Sequence, residues 1–216
     1  PNEHLSAIAH EGRDAILVFT KGVDTTPYGY LDFNELIYRA SKYGIDVYAY
    51  SYLKSEMHPD DAGSKEHYEK SYGRLFEKCP GLKGVVLVGE SVEFPSKDKN
   101  VSPNSRLKNM VDGIPTGKLG PGWWPCEDYP DWLNLLKKII RKHNAAADIV
   151  FWTYNWGRRP KEFRIKLIEA LPTDITLMAT FEMGQKYSLG GVTEYIADYS
   201  LKFAGPGDYF KSEAEA

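Results

Sequence analysis

Apolar positions along this chain fall into two recurring patterns. Short, nearly continuous apolar or β-rich runs occur at residues 14–19 (DAILVF), 46–53 (DVYAYSYL), 84–90 (GVVLVGE), 148–156 (DIVFWTYNW), 174–182 (DITLMATFE) and 193–203. Runs of this length, rich in Val, Ile, Phe and Tyr, predict strands, and the continuous ones suit a sheet buried on both faces. Between them the apolar residues take helical spacing. Residues 31–43 carry Phe33, Leu36, Ile37 and Ala40 on one face and stop at Gly44, and residues 129–143 do the same with Leu133, Leu136, Ile139 and Ile140. Residues 64–78 and 160–170 complete the set of predicted helices. Residues 91–128 have no such period and hold five prolines, Lys97, Lys99, Lys108, Lys118 and Trp123-Trp124, which predicts a long irregular stretch.

Six strands separated mostly by helices predict an α/β fold with parallel crossovers. Two architectures fit that order, a doubly wound open sheet and a (β/α)8 barrel. No glycine-rich phosphate fingerprint follows the first strand, and polar or aromatic residues cluster at nearly every strand end. A barrel, whose site draws on all its βα loops, accounts for both facts better. The expectation is a TIM barrel of which residues 1–216 hold about six βα units in a single domain. The chain opens on Pro1 without Met and closes on residues 212–216 (SEAEA), which read as the first turn of a helix, so a longer polypeptide is expected.

Composition narrows the function. The formal net charge is −3, which argues against nucleic acid or an anionic membrane as partner. No run is long and apolar enough to span a bilayer and no signal-peptide pattern is present, so a soluble protein of open compartment is expected. The five histidines, His4, His10, His58, His67 and His143, lack metal-ligand spacing, so neither a metal nor another cofactor is expected. Cys79 and Cys126 leave open whether they meet. Aromatic residues make up 13% of the chain, several of them in predicted loops, where a ring face suits the C–H side of a sugar.

The strand ends supply the chemistry. The first gives Lys21, the second Tyr52 and Lys54, the third Glu90 and Glu93, and the fourth Trp152, Tyr154, Asn155 and Trp156. The fifth gives Glu182 and the sixth Asp198. Carboxylates converging on one mouth walled by Trp and Tyr have the composition of a glycosidase cleft. That reaction needs one carboxylic acid for the leaving oxygen and a second, ionised carboxylate for a water or the anomeric carbon. Glu90 is the candidate acid, Glu182 or Asp198 the base or nucleophile, and Tyr52, Trp152, Tyr154, Asn155 and Trp156 the sugar site. Lys21 or Lys54 would meet an acidic group. Each carboxylate also has a structural reading, as a cap, an ion-pair partner or a solvated loop residue.

Several segments resemble the α-glucuronidase family of glycoside hydrolases. Residues 74–87 (RLFEKCPGLKGVVL) are similar to that family's passage from a helix through Pro and Gly into the strand that delivers the general acid. Residues 40–48 (ASKYGIDVY) resemble its Tyr-Gly-Ile-x-Val approach to a strand, and residues 149–152 (IVFW) its Ile-Val-Met-Trp run. The resemblance implies that the six strands are the second to seventh of a barrel, and that the substrate is an oligo- or polysaccharide, with a uronic acid as one candidate. Gly89-Glu90-Ser91-Val92-Glu93 stands where the family has Asp-Ser-Glu-Gly, which leaves either Glu90 or Glu93 as the acid. Two rivals are a barrel that binds carbohydrate without cleaving it, or serves a larger carbohydrate-active protein, and a lyase or isomerase of sugar acids.

Overall fold

The apolar runs become strands, and three of the six lie within two residues of where the pattern puts them. The computed structural model describes residues 2–53, 55–94, 96–97, 108–111, 114–119, 127–154, 156, 161–196 and 205–216. In chain order these hold α1 (Asn2–His10), β1 (Ala15–Thr20), β2 (Thr25–Thr26), β3 (Gly29–Tyr30), α2 (Phe33–Ser41), β4 (Asp46–Ser51) and α3 (Ser64–Tyr68). A π-helical turn (Glu69–Gly73) leads into α4 (Arg74–Lys78) and β5 (Gly84–Val88). There follow β6 (Lys108–Val111), β7 (Ile114–Leu119), α5 (Tyr129–His143), β8 (Asp148–Trp152), α6 (Lys161–Glu169), β9 (Thr176–Met178), β10 (Lys186–Leu189), β11 (Val192–Tyr195) and α7 (Asp208–Glu215). Two compact units make up the chain: Pro1–Leu87 with Asn134–Val150, and Val88–Leu133 with Phe151–Ala216.

In the first unit the strand order is β1-β4-β5-β8. β1 runs parallel to β4 with Phe19 opposite Tyr50, and β4 runs parallel to β5 with Tyr50 opposite Val86. Along β4 the alternation is plain. Val47, Ala49 and Ser51 are buried, while Tyr48 and Tyr50, on the other face, are only partly so. All five residues of β5 are buried, as its unbroken apolar run requires. Asp32 caps α2, its Oδ1 accepting the Glu35 amide at 2.9 Å.

The predicted helix at 64–78 is continuous but widens in the middle. In the π-helical turn Gly73 lies so close to Glu69 that a Cβ there would come within 2.9 Å of the Glu69 carboxyl, which would have to shift. Glu69 in turn accepts from Lys142 Nζ at 3.0 Å and pairs closely with His143 Nε2 at the end of α5. The His143 hydrogen bond, with Lys142 next, holds the Glu69 carboxyl below its usual range.

In the second unit β8 continues alongside the end of β5, with the Gly89 amide donating to the Trp152 carbonyl at 2.9 Å. β9 lies on the other side of β8, and the Thr153 amide reaches the Met178 carbonyl at 3.0 Å. The core here is aromatic. Tyr129, Trp132, Phe151 and Trp156 are fully buried, and their rings meet mostly edge to face at centroid distances of 5.3–6.2 Å. The closing helix α7 is anchored by charge. Glu213, fully buried, accepts from Thr153 Oγ1 at 2.7 Å and pairs with Arg164, itself fully buried and stacked 3.7 Å over the Tyr209 ring. Burial pushes the Glu213 carboxyl up, against the pull of Arg164 and of the Thr153 hydrogen bond.

Three features depart from the sequence expectation. The stretch 91–128, expected to be irregular, contains the antiparallel hairpin β6–β7. The sixth predicted strand does not join the parallel sheet over its described part. Residues Val192–Tyr195 instead turn back on β10 through Gly190 and Gly191, which have positive φ, and pair antiparallel with Leu189 opposite Val192. The helix Asn2–His10 was not anticipated. Among the described residues no helix is long and apolar enough to cross a membrane, and no group of His, Cys, Asp and Glu is placed to hold a metal ion.

Two measurements test these anchors. Glu69→Gln should cost about 1 kcal/mol in urea unfolding at pH 7. A depressed folded pKa stabilises above the unfolded value and loses that contribution as pH falls, so the gap to wild type should close between about pH 5 and 3. Glu213→Ala should cost about 3–5 kcal/mol, because Arg164 is left buried without its counter-charge, whereas Arg164→Met with Glu213→Leu should recover most of that loss. An additive double variant would contradict the pairing.

Candidate active site

Glu90 sits in the turn directly after β5, half-buried, and belongs to the second unit. The turn is short because the Ser91 amide and the Ser91 hydroxyl both return to the Val88 carbonyl, at 2.9 and 2.7 Å. Gly89 is squeezed. A Cβ at this position would lie 2.5 Å from Trp156 Nε1 and 3.1 Å from the Trp152 carbonyl. The Tyr129 hydroxyl donates a close hydrogen bond to the Gly89 carbonyl, fixing the peptide that carries Glu90. Beyond the turn, Val92 and Phe94 are fully buried, and Asp128, just before α5, takes hydrogen bonds from the Ser96 hydroxyl and, at 3.3 Å, from the Lys97 amide. Glu93, between those two buried anchors, points out and is exposed.

At the end of β8 the half-buried Trp152 donates its Nε1 to Thr180 Oγ1 at 3.0 Å, tying the strand end to the residues just after β9. Its ring lies 4.8 Å from that of Tyr154, tilted by 37°. β9 ends at Met178, earlier than the predicted strand, so Glu182 falls in the following turn. That turn is pinned by the Met183 amide on the Thr180 carbonyl at 3.2 Å and by the Gly207 amide on the Phe181 carbonyl at 2.8 Å. Glu182 itself is buried, 5% exposed.

The second unit therefore brings Glu90, Trp152, Tyr154 and Glu182 to the same end of three adjacent strands. Trp156 is corrected from a wall of the site to a core ring. Its exposure is 0%, and it packs on Tyr129 and Phe151 at 5.4 and 5.3 Å. The predicted strand ran to Trp156, whereas β8 stops at Trp152 and the chain turns before reaching it. Lys21 and Tyr52 are exposed and belong to the first unit. Lys54, Asn155 and Asp198, as well as Cys126, lie outside the described residues, and Cys79 is buried. Sequence reasoning missed Tyr129 and Thr180, whose contacts span 40 and 28 residues and leave no local pattern.

A parallel sheet interleaved with helices, with its polar residues gathered where strands end, is the layout of a (β/α)8 barrel. Comparison with solved structures supports that fold. The chain is similar to an O-GlcNAc hydrolase variant from Thermobaculum terrenum (TM-score 0.53, 13% identity), with 83% of this chain covering 37% of that one. It is also similar to the β-glycosidase BGL167 (TM-score 0.52, 11% identity), with 82% of this chain covering 54% of that one. The chain thus spans between a third and just over half of the length of these structures. No protein-family model and no curated protein matches the sequence.

Gly89→Ala should lower stability by about 1–3 kcal/mol, since the methyl must displace either the Trp156 ring or the β8 backbone. Urea unfolding with near-ultraviolet circular dichroism measures both the loss and the disturbed tryptophan. An unchanged midpoint and spectrum would show that the turn is looser than described.

Proposed function

We propose that this chain is the site-bearing part of a glycoside hydrolase acting on an oligo- or polysaccharide, with Glu90 as general acid. The observation that carries the proposal is the placement of two carboxylates, Glu90 after β5 and Glu182 after β9, on either side of the β8 end with its Trp152 and Tyr154 rings. Barrel enzymes build their sites at this end of the strands. The two structures compared above are, by name, an O-GlcNAc hydrolase and a β-glycosidase, which agrees with the reading.

In the proposed reaction the Glu90 carboxyl gives its proton to the glycosidic oxygen as the bond from that oxygen to the anomeric carbon breaks. Glu182 either takes a proton from the attacking water or attacks the anomeric carbon itself, and in the second case a later water releases the sugar. Asp198 is the alternative partner and Glu93 the alternative acid. The half-buried ring of Trp152, its indole N–H satisfied by Thr180 and its ring beside that of Tyr154, is the proposed apolar wall for a pyranose. A uronic acid in the substrate is proposed on the sequence resemblance alone, with Lys21 or Lys54 as its counter-charge.

Glu90→Gln should lower kcat on the best glycoside about 100-fold or more with folding intact by circular dichroism, whereas Glu93→Gln should stay within about threefold of wild type. The reverse order would move the acid to Glu93, unchanged turnover in both would remove both residues as the acid, and no turnover of any glycoside by the wild type would sink the hydrolase reading. Following the anomer of the first product by NMR then separates retention from inversion.

A further inference from the structure

The closing helix α7 holds two of the turns that carry the candidate site, one at each of its ends. Its start packs on the turn after β9. The Gly207 amide donates to the Phe181 carbonyl at 2.8 Å and the Tyr209 amide to the Met183 carbonyl at 3.2 Å, so Glu182 lies between the two carbonyls that are held. The contact is backbone on backbone. A Cβ on Gly207 would lie 2.0 Å from the Met183 carbonyl oxygen and 2.9 Å from that of Glu182, and one on Gly184 would lie 2.9 Å from the Tyr209 ring. Buried Met183 and Tyr209, with Tyr195 against them, form the apolar cluster of this contact.

Further along, the same helix holds the end of β8. Glu213 accepts from Thr153 Oγ1 at 2.7 Å, and Thr153 stands between Trp152 and Tyr154. Arg164 of α6 pairs with Glu213 and stacks over the Tyr209 ring, which links the two ends of α7. Thr153, Arg164 and Glu213 are all fully buried. A helix that served packing alone would meet these turns with apolar side chains, since buried polar contacts add little net stability and demand close geometry.

We infer that α7 is a splint for the candidate site, with Gly207 positioning Glu182, and Glu213, through Thr153, positioning Trp152 and Tyr154. These positioning residues act through the groups they hold, and a misplacement of about 1 Å at a reacting group can cost about 100-fold in rate. The inference deepens the glycosidase reading and rests on it for the roles of Glu182 and Trp152. Its two ends fail differently. Moving Glu182 disturbs a reacting group and lowers kcat, whereas moving Trp152 disturbs the sugar wall and raises KM.

The test pairs steady-state kinetics on the best glycoside with amide hydrogen exchange. The Met183 and Gln185 amides close the Glu182 turn on the Thr180 and Glu182 carbonyls. Gly207→Ala should raise their exchange about tenfold or more and lower kcat about tenfold, with KM within about twofold of wild type. Thr153→Val should raise KM about fivefold with kcat nearly unchanged, and Thr153→Ser, which keeps the hydroxyl, should restore KM. A helix that only stabilises the fold would lower the melting temperature in Gly207→Ala and Thr153→Val without that split, and this result overturns the splint. So does unchanged exchange in Gly207→Ala. If Gly207→Ala does not fold, the Thr153 pair decides, and an unchanged KM in Thr153→Val overturns the splint. A wild type inactive on every glycoside removes the hydrolase reading, and exchange in Gly207→Ala still decides whether α7 holds the Glu182 turn. Normal hydrolysis with unchanged kinetics and exchange in every variant does the opposite.

Discussion

The close packing of the β5 turn against β8 is the constraint on which the candidate site depends. A backbone without a side chain at residue 89 lets the Trp156 indole and the Trp152 carbonyl press directly on the turn. Tyr129 seals it from the other side by bonding the Gly89 carbonyl, and the same ring sits in the aromatic core with Trp132, Phe151 and Trp156. One cluster therefore sets three things together: the end of β5, the end of β8 and the direction in which Glu90 leaves. Core packing and site geometry are not separable here, because interiors at crystal-like density transmit small displacements.

The same logic extends to the far end of the chain. Thr153 gives its amide to β9 and its hydroxyl to Glu213, so the residue between Trp152 and Tyr154 is gripped from two directions. A buried ion pair is a poor source of stability, since desolvation offsets most of its attraction. Its value lies in discrimination: only one placement of α7 satisfies both Arg164 and Thr153. Positions bearing chemistry are thus fixed by polar contacts of high geometric demand, laid over an apolar core that could tolerate several arrangements.

Much of the fold was legible because burial on both faces writes itself into composition. The run at 84–88 contains no polar side chain, and every residue in it is buried. Helices with one wet face were equally readable, as residues 129–143 show. Legibility failed where neither pattern applies. The β10–β11 hairpin is mostly exposed, so nothing in its sequence distinguished an antiparallel excursion from another sheet strand. Trp156 was misplaced because the predicted strand ran on to it, past the point where β8 stops. Glu90 and Glu182 stood out because a carboxylate next to an apolar run is a local signal, whereas Tyr129, Thr180 and Glu213 act across 28 to 60 residues and give none.

The π-helical turn at Glu69–Gly73 carries a historical implication. A wide turn holds one residue more than an α-helical turn would, and each residue advances a helix by about 100°. Tyr68 and Tyr72 before and within it, and Leu75 and Phe76 after it, are all fully buried, so one buried face runs through the wide turn. Removing a residue between them would swing Leu75 and Phe76 toward water. Such a segment accepts substitutions but resists insertion or deletion, and its length is fixed more tightly than its sequence.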